Sequence, residues 1–279
     1  MLRSTTFSIT GSNTVLRLVI TFTFYLCFTL NGQASSYQIL QEKRLASLSF
    51  TQGFAKTGSR FYLSSGGYGK SFIAVFDEDS RILNKVFLDK TIFAEGLTVF
   101  DEQLYLLSWK SGKLFRFQTA DLSWLDSIPF DGEGWGLTHT TTHFLLSNGS
   151  PIIQFKRFDN FETVKELEIR FRGAPLSDIN ELEFAEGYLW ANVWHDDHIY
   201  QIDIDSGDVL NRWNLARIRL AQGLKHPEAV LNGIAYDQQT RAFWITGKLW
   251  SKRYLVRFYG DNKLHTLKHV GRNSEHITP

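Results

Sequence analysis

The chain of 279 residues carries 30 Lys and Arg against 29 Asp and Glu, and 43% of its residues are hydrophobic. This near-neutral balance, without a cluster of basic residues, argues against a nucleic-acid-binding protein. The length and the apolar content suffice for one domain with a large core. The single cysteine, Cys27, excludes an internal disulfide.

The N-terminal segment has the pattern of a secretory signal peptide. Arg3 and Arg17 precede an apolar, acid-free run at residues 18–30, and small residues then lead to Ala34. We predict a signal peptide at residues 1–34 with cleavage after Ala34. A membrane-spanning helix needs about 20 apolar residues, more than this run offers. An uncleaved anchor is the alternative interpretation.

The mature domain is then expected at residues 35–279. Cleavage would remove Cys27, and a secreted protein without thiols fits a bacterial periplasm. We therefore expect a periplasmic or secreted protein that has no contact with a membrane after cleavage, and we expect a monomer.

In chain order, the first predicted element of this domain is a strand at residues 37–45. A short phrase then returns five times, at intervals of about 40 to 50 residues. Each copy begins a strand, and three further runs rich in aromatic and β-branched residues follow it. The five copies begin at Gln52, Glu95, Trp135, Asn180 and Asn232.

Four short strands at this period are typical of a β-propeller blade. We predict an all-β fold, a five-bladed β-propeller with four-stranded antiparallel blades at residues 50–88, 94–130, 135–169, 180–215 and 231–270. The last strand of blade 5 is placed at 264–270. The segment 37–45 should also pair with blade 5, because joining the two chain ends removes an exposed edge. The long connection 216–230 is expected to shape a site and to contain a short helical turn at 216–221.

The repeat also predicts where chemistry lies. The first strand of each propeller blade lines the central channel, so the five residues that begin the phrases should form a ring at one mouth. These residues differ in type, which blade packing alone does not require. Trp109, Trp194 and Lys248, at the ends of second strands, are expected to form a second layer. Several tryptophans around one carboxylate and one lysine favour a small-molecule site, and polar residues that only bind water are the alternative.

Eight ordered motifs resemble those of a known family. They are Phe50-Thr51-Gln52-Gly53, Ala94-Glu95-Gly96-Leu97-Thr98, Ser108-Trp109-Lys110, Glu133-Gly134-Trp135-Gly136-Leu137-Thr138, Asn180-Glu181-Leu182-Glu183, Ala191-Asn192-Val193-Trp194, Leu231-Asn232-Gly233-Ile234-Ala235-Tyr236 and Thr246-Gly247-Lys248-Leu249-Trp250. Over residues 45–260 the chain closely resembles the plant-type and bacterial glutaminyl-peptide cyclotransferases, also called glutamine cyclotransferases. The resemblance implies a five-bladed propeller that converts the N-terminal glutamine of a peptide or protein to pyroglutamate and releases ammonia.

The resemblance also implies a set of site residues. The catalytic residues would be Glu95, Lys248 and Asn180, and the substrate-binding residues Gln52, Phe93, Trp109, Trp135 and Trp194, to which the predicted ring adds Asn232. Departures from the family lie beside these positions. Residues 45–49 lack its Pro-His-Asp run, residues 63–66 and 147–150 differ from its Glu-Ser-Thr-Gly and Ser-Asp-Gly-Ser, and an arginine is missing near Ala74. We expect them to affect substrate preference more than the reaction.

The chemistry of cyclisation assigns a role to these residue types. The α-amine must be neutral, the oxyanion must be stabilised, and the departing nitrogen must gain a proton. Glu95 is the candidate proton shuttle, because burial beside Phe93 and the tryptophans should raise its pKa. Lys248, Asn180 and Gln52 are expected to donate hydrogen bonds to the substrate carbonyl oxygen. The tryptophans are expected to hold glutamine in its cyclising geometry.

Other functional classes compete with this interpretation. We predict no metal or cofactor at the site, and we interpret His195-Asp196-Asp197-His198 as a solvated turn rather than a zinc site, although the channel leaves room for a structural cation. The main alternative is a non-catalytic periplasmic propeller module that binds peptides or small ligands. A propeller hydrolase or lactonase would require several carboxylates and histidines around a metal, whereas the predicted ring has one carboxylate.

Overall fold

The computed structural model describes residues 36–45 and 49–260. These residues form five four-stranded antiparallel sheets, and the predicted five-bladed β-propeller is confirmed. The predicted signal peptide at 1–34 and the predicted strand at 264–270 lie outside the described residues. In the described ranges, no helix has the length and apolar character needed to cross a membrane.

The strands follow the predicted repeat closely. Strand β1 (Ser36–Arg44) precedes the blades. Blade 1 contains β2 (Thr51–Thr57), β3 (Arg60–Ser65), β4 (Phe72–Phe76) and β5 (Ile82–Phe87), and blade 2 contains β6 (Ala94–Phe100), β7 (Gln103–Ser108), β8 (Lys113–Gln118) and β9 (Trp124–Pro129). Blade 3 contains β10 (Leu137–His139), β11 (Phe144–Leu146), β12 (Ile152–Lys156) and β13 (Thr163–Glu168), and a small hairpin of β14 (Arg170–Phe171) and β15 (Ala174–Pro175) follows it. Blade 4 contains β16 (Ile179–Ala185), β17 (Tyr188–Val193), β18 (His198–Asp203) and β19 (Val209–Asn214). The helix α1 (Ala216–Leu220), which confirms the predicted helical turn, leads to β20 (Leu231–Asp237), β21 (Ala242–Gly247) and β22 (Lys252–Tyr259) of blade 5.

The ring is closed by strands from distant parts of the chain. Strand β1 pairs antiparallel with β22, with Tyr37 opposite Phe258 and Lys43 opposite Arg253. Strand β1 therefore supplies the outermost strand of blade 5, and the predicted closure is confirmed. The pairing covers the edge of β22, which would otherwise present unpaired backbone groups.

The innermost strands explain why glycine recurs in the phrase. Strands β2, β6, β10, β16 and β20 contact one another in ring order. A Cβ added at Gly96 would lie 2.6 Å from the Leu137 nitrogen, and one added at Gly136 would lie 2.0 Å from the Asn180 oxygen. Only glycine permits the neighbouring backbones to approach this closely.

Blade 4 carries Glu181 where the four other copies of the phrase have glycine. This carboxyl is fully buried, and its two oxygens accept hydrogen bonds from the Phe54 nitrogen at 3.1 Å and the Ile234 nitrogen at 2.9 Å. Glu181 therefore connects the inner strands of blades 4, 1 and 5.

The core lies between adjacent blades, where aromatic side chains pack. Between blades 5 and 1, Phe61 stacks on Phe76 with ring centroids 5.3 Å apart and meets Trp244 edge-on at 5.5 Å. The buried guanidinium of Arg253 lies 4.1 Å from the Phe61 ring centroid. Burial of each large apolar side chain stabilises the fold by about 1.5–3 kcal/mol, so these contacts hold the blades that form the site.

Candidate active site

The phrase that repeats in the sequence corresponds to a β-bulge in four blades. The register between the first and second strands shifts at Thr51/Gly53, Ala94/Leu97, Ile179/Leu182 and Leu231/Ile234. A bulge bends the strand and redirects a side chain. The residues at these bulges include Gln52, Glu95, Asn180 and Asn232, so the local irregularity recurs where chemistry was predicted.

A cavity of about 240 Å³ lies among the residues that begin the phrases. This volume is just below the about 300 Å³ at which small-molecule pockets usually begin, and it suits a single side chain. Eight of the nine predicted site residues line it together. The complete lining is Phe50, Gln52, Phe93, Glu95, Trp109, Trp135, Asn180, Trp194, Glu228 and Lys248.

Glu95 is the buried acid of the cavity. The residue is 5% exposed, and the Gln52 Nε2 donates to its Oε1 at 3.3 Å. The Ser64 hydroxyl of blade 1 donates to its backbone carbonyl and holds the start of β6 in place. Burial raises the pKa of Glu95 well above its ordinary value, against the opposing effect of Lys248 and with a further contribution from the charge of Glu133. A carboxyl in this environment keeps its proton to a higher pH than an exposed glutamate does.

Lys248 is the buried base that faces the same cavity. It follows β21, is 4% exposed, and its Nζ lies 5.0 Å from the centroid of the Phe50 ring. Burial lowers its pKa, and the carboxylates of Glu95 and Glu228 oppose this effect. Within the described ranges its Nζ forms neither a hydrogen bond nor an ion pair, so the group is free to donate to a ligand.

Two amide oxygens of the cavity have no partner in the described part of the chain. They are the buried Gln52 Oε1 and Asn180 Oδ1. An unpaired buried polar atom costs about 1–3 kcal/mol, which a ligand with suitably placed N–H groups would recover. The Nε2 of Gln52 already donates one hydrogen bond to Glu95, and its second N–H is still available for the predicted hydrogen bond to the substrate carbonyl, which stays a prediction. The unpaired oxygens of both amides are acceptors for ligand N–H groups.

The three tryptophans direct their indole N–H groups to carboxylates. The Nε1 atoms of Trp109 and Trp135 donate to the same Glu133 oxygen, Oε2, at 2.8 and 3.1 Å. The Nε1 of Trp194 donates to Glu228 Oε2 at 3.3 Å. Trp135 and Trp194 meet edge-on with ring centroids 6.0 Å apart. The carbon surfaces of the indoles therefore form most of the apolar wall.

Asn232 is the predicted site residue that does not line the cavity. It is 1% exposed, and its Nδ2 donates to the backbone oxygens of Thr51 at 2.9 Å and Gln52 at 3.2 Å. Its predicted contact with substrate stays a prediction that the lining of this cavity does not support. Its amide joins blade 5 to blade 1 and holds the backbone of Gln52.

Three residues near the cavity were not predicted. Phe50 and Glu228 line it, and Glu133 holds two of its tryptophans. The sequence contained a signal for Phe50, because it lies two residues before Gln52 as Phe93 lies two residues before Glu95. Glu228 belongs to the long connection that was expected to shape a site.

The two histidines near Trp194 form local contacts. The Nδ1 of His198 lies 2.5 Å from Asp196 Oδ1, and the Nε2 of His195 lies 3.3 Å from Glu228 Oε1. In the part of the chain that the structure describes, no three or more His, Cys, Asp or Glu residues are grouped so that they could hold a metal ion.

The fold and the cavity together define a class of protein. A narrow aromatic cavity in a closed propeller holds one buried carboxyl, one buried lysine and two unpaired amide oxygens. This combination of groups suits an enzyme that moves a proton and stabilises a developing oxyanion on a small polar group.

Comparisons with known proteins identify the family. Residues 19–258 match the family described as glutamine cyclotransferase. A glutaminyl-peptide cyclotransferase of Arabidopsis thaliana is 30% identical over 258 residues, which cover 85% of this chain and 79% of the relative. The crystal structure of the Myxococcus xanthus glutaminyl cyclase is 32% identical, with a TM-score of 0.76, 81% of this chain covered and 97% of that chain. The chain belongs to the glutamine cyclotransferase family.

Proposed function

We propose that this cavity binds the N-terminal glutamine of a peptide or protein, and that Glu95, Lys248 and Asn180 carry out its cyclisation. The protein is a glutaminyl-peptide cyclotransferase by family and by its relatives. The reaction joins the α-nitrogen to the side-chain carbonyl carbon and releases ammonia. The observation that carries the residue assignment is the pair of nearly fully buried groups, Glu95 and Lys248, which face one apolar cavity.

Glu95 moves the proton in this proposal. As a carboxylate it accepts a proton from the α-ammonium, and the freed amine attacks the carbonyl carbon to form the new C–N bond. The carboxyl then donates a proton to the amide nitrogen, which leaves as ammonia when its C–N bond breaks, and the regenerated carboxylate takes the second proton from the new ring nitrogen. A raised pKa, closer to that of an α-amino group at about 7.7–8.0, makes both transfers feasible with one group.

Lys248 stabilises the oxygen on which negative charge develops. Its Nζ has no partner in the described ranges, so it can donate to the substrate carbonyl oxygen without breaking a bond within the protein. Among buried and largely apolar side chains, such a donor is worth far more than in water.

The amide oxygens of Gln52 and Asn180 orient the two nitrogens of the substrate. Both are buried acceptors without a partner in the described part of the chain. The α-amine and the side-chain carboxamide are the N–H donors of an N-terminal glutamine. Their capture, with the tryptophan wall around the side chain, holds the molecule in the folded geometry that closes a five-membered ring.

The direct test is turnover of a defined peptide. The purified protein is incubated with a Gln-initiated peptide. Ammonia and a mass loss of about 17 Da in the peptide are both measured, because proton-assisted cyclisation releases one ammonia for each pyroglutamyl peptide formed. A matched peptide with an acetylated N-terminus lacks the nucleophilic amine and should remain unchanged. Binding of the free peptide without ammonia release would instead support the alternative of a non-catalytic binding module.

We also propose that the enzyme acts as a monomer in the periplasm or outside the cell. The proposal is supported by the charged, apolar and small-residue order of residues 1–34, and by the single cysteine within it. Protein recovered from the periplasm should begin at Ser35 and elute at the size of one chain. An intact mass that still includes Met1 would contradict cleavage.

A further inference from the structure

Glu133 joins two walls of the cavity through one oxygen atom. Its Oε2 accepts the indole N–H of Trp109, which follows the second strand of blade 2, and that of Trp135, which precedes the first strand of blade 3. Trp109 meets Phe93 with ring centroids 5.4 Å apart. A continuous arc of side chains from Phe93 to Trp135 therefore depends on a single carboxylate that does not itself line the cavity.

The same carboxylate is held in its charged form. Its other oxygen, Oε1, lies 3.5 Å from the Lys110 Nζ, which also lies 4.1 Å from the centroid of the Trp109 ring. Partial burial raises the pKa of Glu133, but the hydrogen bonds from Trp135 and Trp109, together with Lys110, outweigh burial and hold the pKa below its ordinary value. Glu133 is thus an anion throughout the pH range in which the enzyme would work.

This fixed negative charge acts on Glu95. The charged groups that influence Glu95 are Lys248, which favours its ionised form, and Glu133, which disfavours it, while Glu228 acts on Lys248. Burial is the main cause of the raised pKa of Glu95; the charge of Lys248 opposes it, and the charge of Glu133 adds to it.

We propose that Glu133 is a positioning residue of the cyclisation: by accepting both indole N–H groups on one oxygen it fixes Trp109 and Trp135 relative to each other, and through its fixed charge it influences the pH dependence of turnover. The inference rests on the proposed function. It assigns two separable effects to one side chain, one on substrate binding and one on the pH dependence of turnover.

Two substitutions separate these effects. Glu133→Gln retains an oxygen that can accept both indole N–H groups but removes the charge. Its KM should stay within about twofold of wild type, and the acid limb of its kcat/KM profile should shift to lower pH by roughly half a unit or more. Glu133→Ala removes the acceptor as well. Two unpaired indole donors then loosen the wall, and KM should rise about tenfold or more.

The matched control is Glu166→Gln, the same change of charge on the exposed outer strand of blade 3. It should leave both KM and the acid limb unchanged.

Wild-type protein is assayed first, and failure of wild type to release ammonia would overturn the proposed function itself. An active wild type with an unshifted acid limb in Glu133→Gln would overturn the electrostatic role. An active wild type with unchanged KM in folded Glu133→Ala would overturn the positioning role.

Discussion

At the scale of single residues, the site is governed by the burial of two opposite charges. Burial raises the pKa of Glu95 and lowers that of Lys248, so both groups are driven towards their neutral forms. Each also stabilises the charge of the other. The result is a pair whose protonation can change at little cost when a substrate amine or oxyanion enters.

Replacement of Glu95 by glutamine isolates proton transfer. Glu95→Gln keeps the shape of the side chain and a hydrogen bond with Gln52, but it cannot accept and return a proton. Because positioned acid–base catalysis contributes about 10² to 10⁴ in rate, kcat should fall by that factor with KM changed only modestly. Steady-state kinetics measure kcat and KM, and an unchanged thermal unfolding curve shows that the variant is folded. A variant that keeps more than about a tenth of wild-type turnover would assign proton transfer to another group.

Replacement of Lys248 tests the oxyanion donor. Lys248→Ala removes the free Nζ, and kcat should fall on the order of 10² or more, as for other lost oxyanion donors. Added methylamine, which supplies an ammonium group to the vacated space, should restore part of the rate of Lys248→Ala. Full activity of Lys248→Ala without added amine would contradict the role of Lys248 as the oxyanion donor.

A metal should not be required for these steps. The proposed transfers use Glu95 and Lys248 and need no Lewis acid. Activity should therefore survive exhaustive treatment with a chelator. Loss of activity that zinc restores, without unfolding, would contradict the proposed mechanism.

At the scale of elements, the inner strands depend on Glu181. Its two oxygens are the acceptors for the Phe54 and Ile234 amides of two other blades. Glu181→Ala should leave these amides unpaired in the interior, each at a cost of about 1–3 kcal/mol. Urea unfolding should show the loss of stability, whereas the exposed Glu166→Ala should change it by no more than about 0.5 kcal/mol. Equal stability of the two variants would contradict the assignment.

The elements were largely predictable because every blade packs against its neighbours in the same way, so the same strand pattern recurs in the sequence. The period predicted the blades, and bulges at three of the phrases place Gln52, Glu95 and Asn180 at one cavity. Asn232 follows the same pattern, but its amide has a nearer partner in the backbone of blade 1. Which partner the Asn232 amide binds depends on the distances between blades, and these cannot be read from the spacing of residues in the sequence. The same holds for Glu133, whose role appears only once two tryptophans from different blades converge on it.

At the scale of the whole molecule, three carboxyls with raised pKa values contribute to how stability depends on pH, the buried Glu95 and Glu181 and the half-buried Glu183. Burial raises the pKa of Glu183 to about 8, against an ordinary value of 4.5, and the pKa values of Glu95 and Glu181 are raised in the same direction by the same cause. A group with a raised pKa binds more protons in the folded state than in the unfolded state. Its contribution to stability is therefore fully present below about 4.5 and declines as pH rises towards 8.

The free energy of unfolding should consequently fall between pH 5 and pH 8, by at most about 1.4 kcal/mol per pH unit for each such carboxyl. Urea titrations across this range would measure it. In Glu183→Gln, whose amide oxygen can still accept from the Tyr236 nitrogen, the slope should be smaller. A wild-type stability that rises over the same range would contradict the account.

The distribution of the cavity residues over all five blades determines when the site can form during synthesis. Strand β1 is made before any blade, but its partner is completed only after all five first strands have been translated. Contacts between such distant segments form late and slowly. Gln52, Glu95, Trp135, Asn180 and Lys248 come from five different blades, so a partly translated chain contains no complete cavity. We therefore expect the nascent protein to be catalytically silent until blade 5, which carries Lys248, has been made and packed against blade 1.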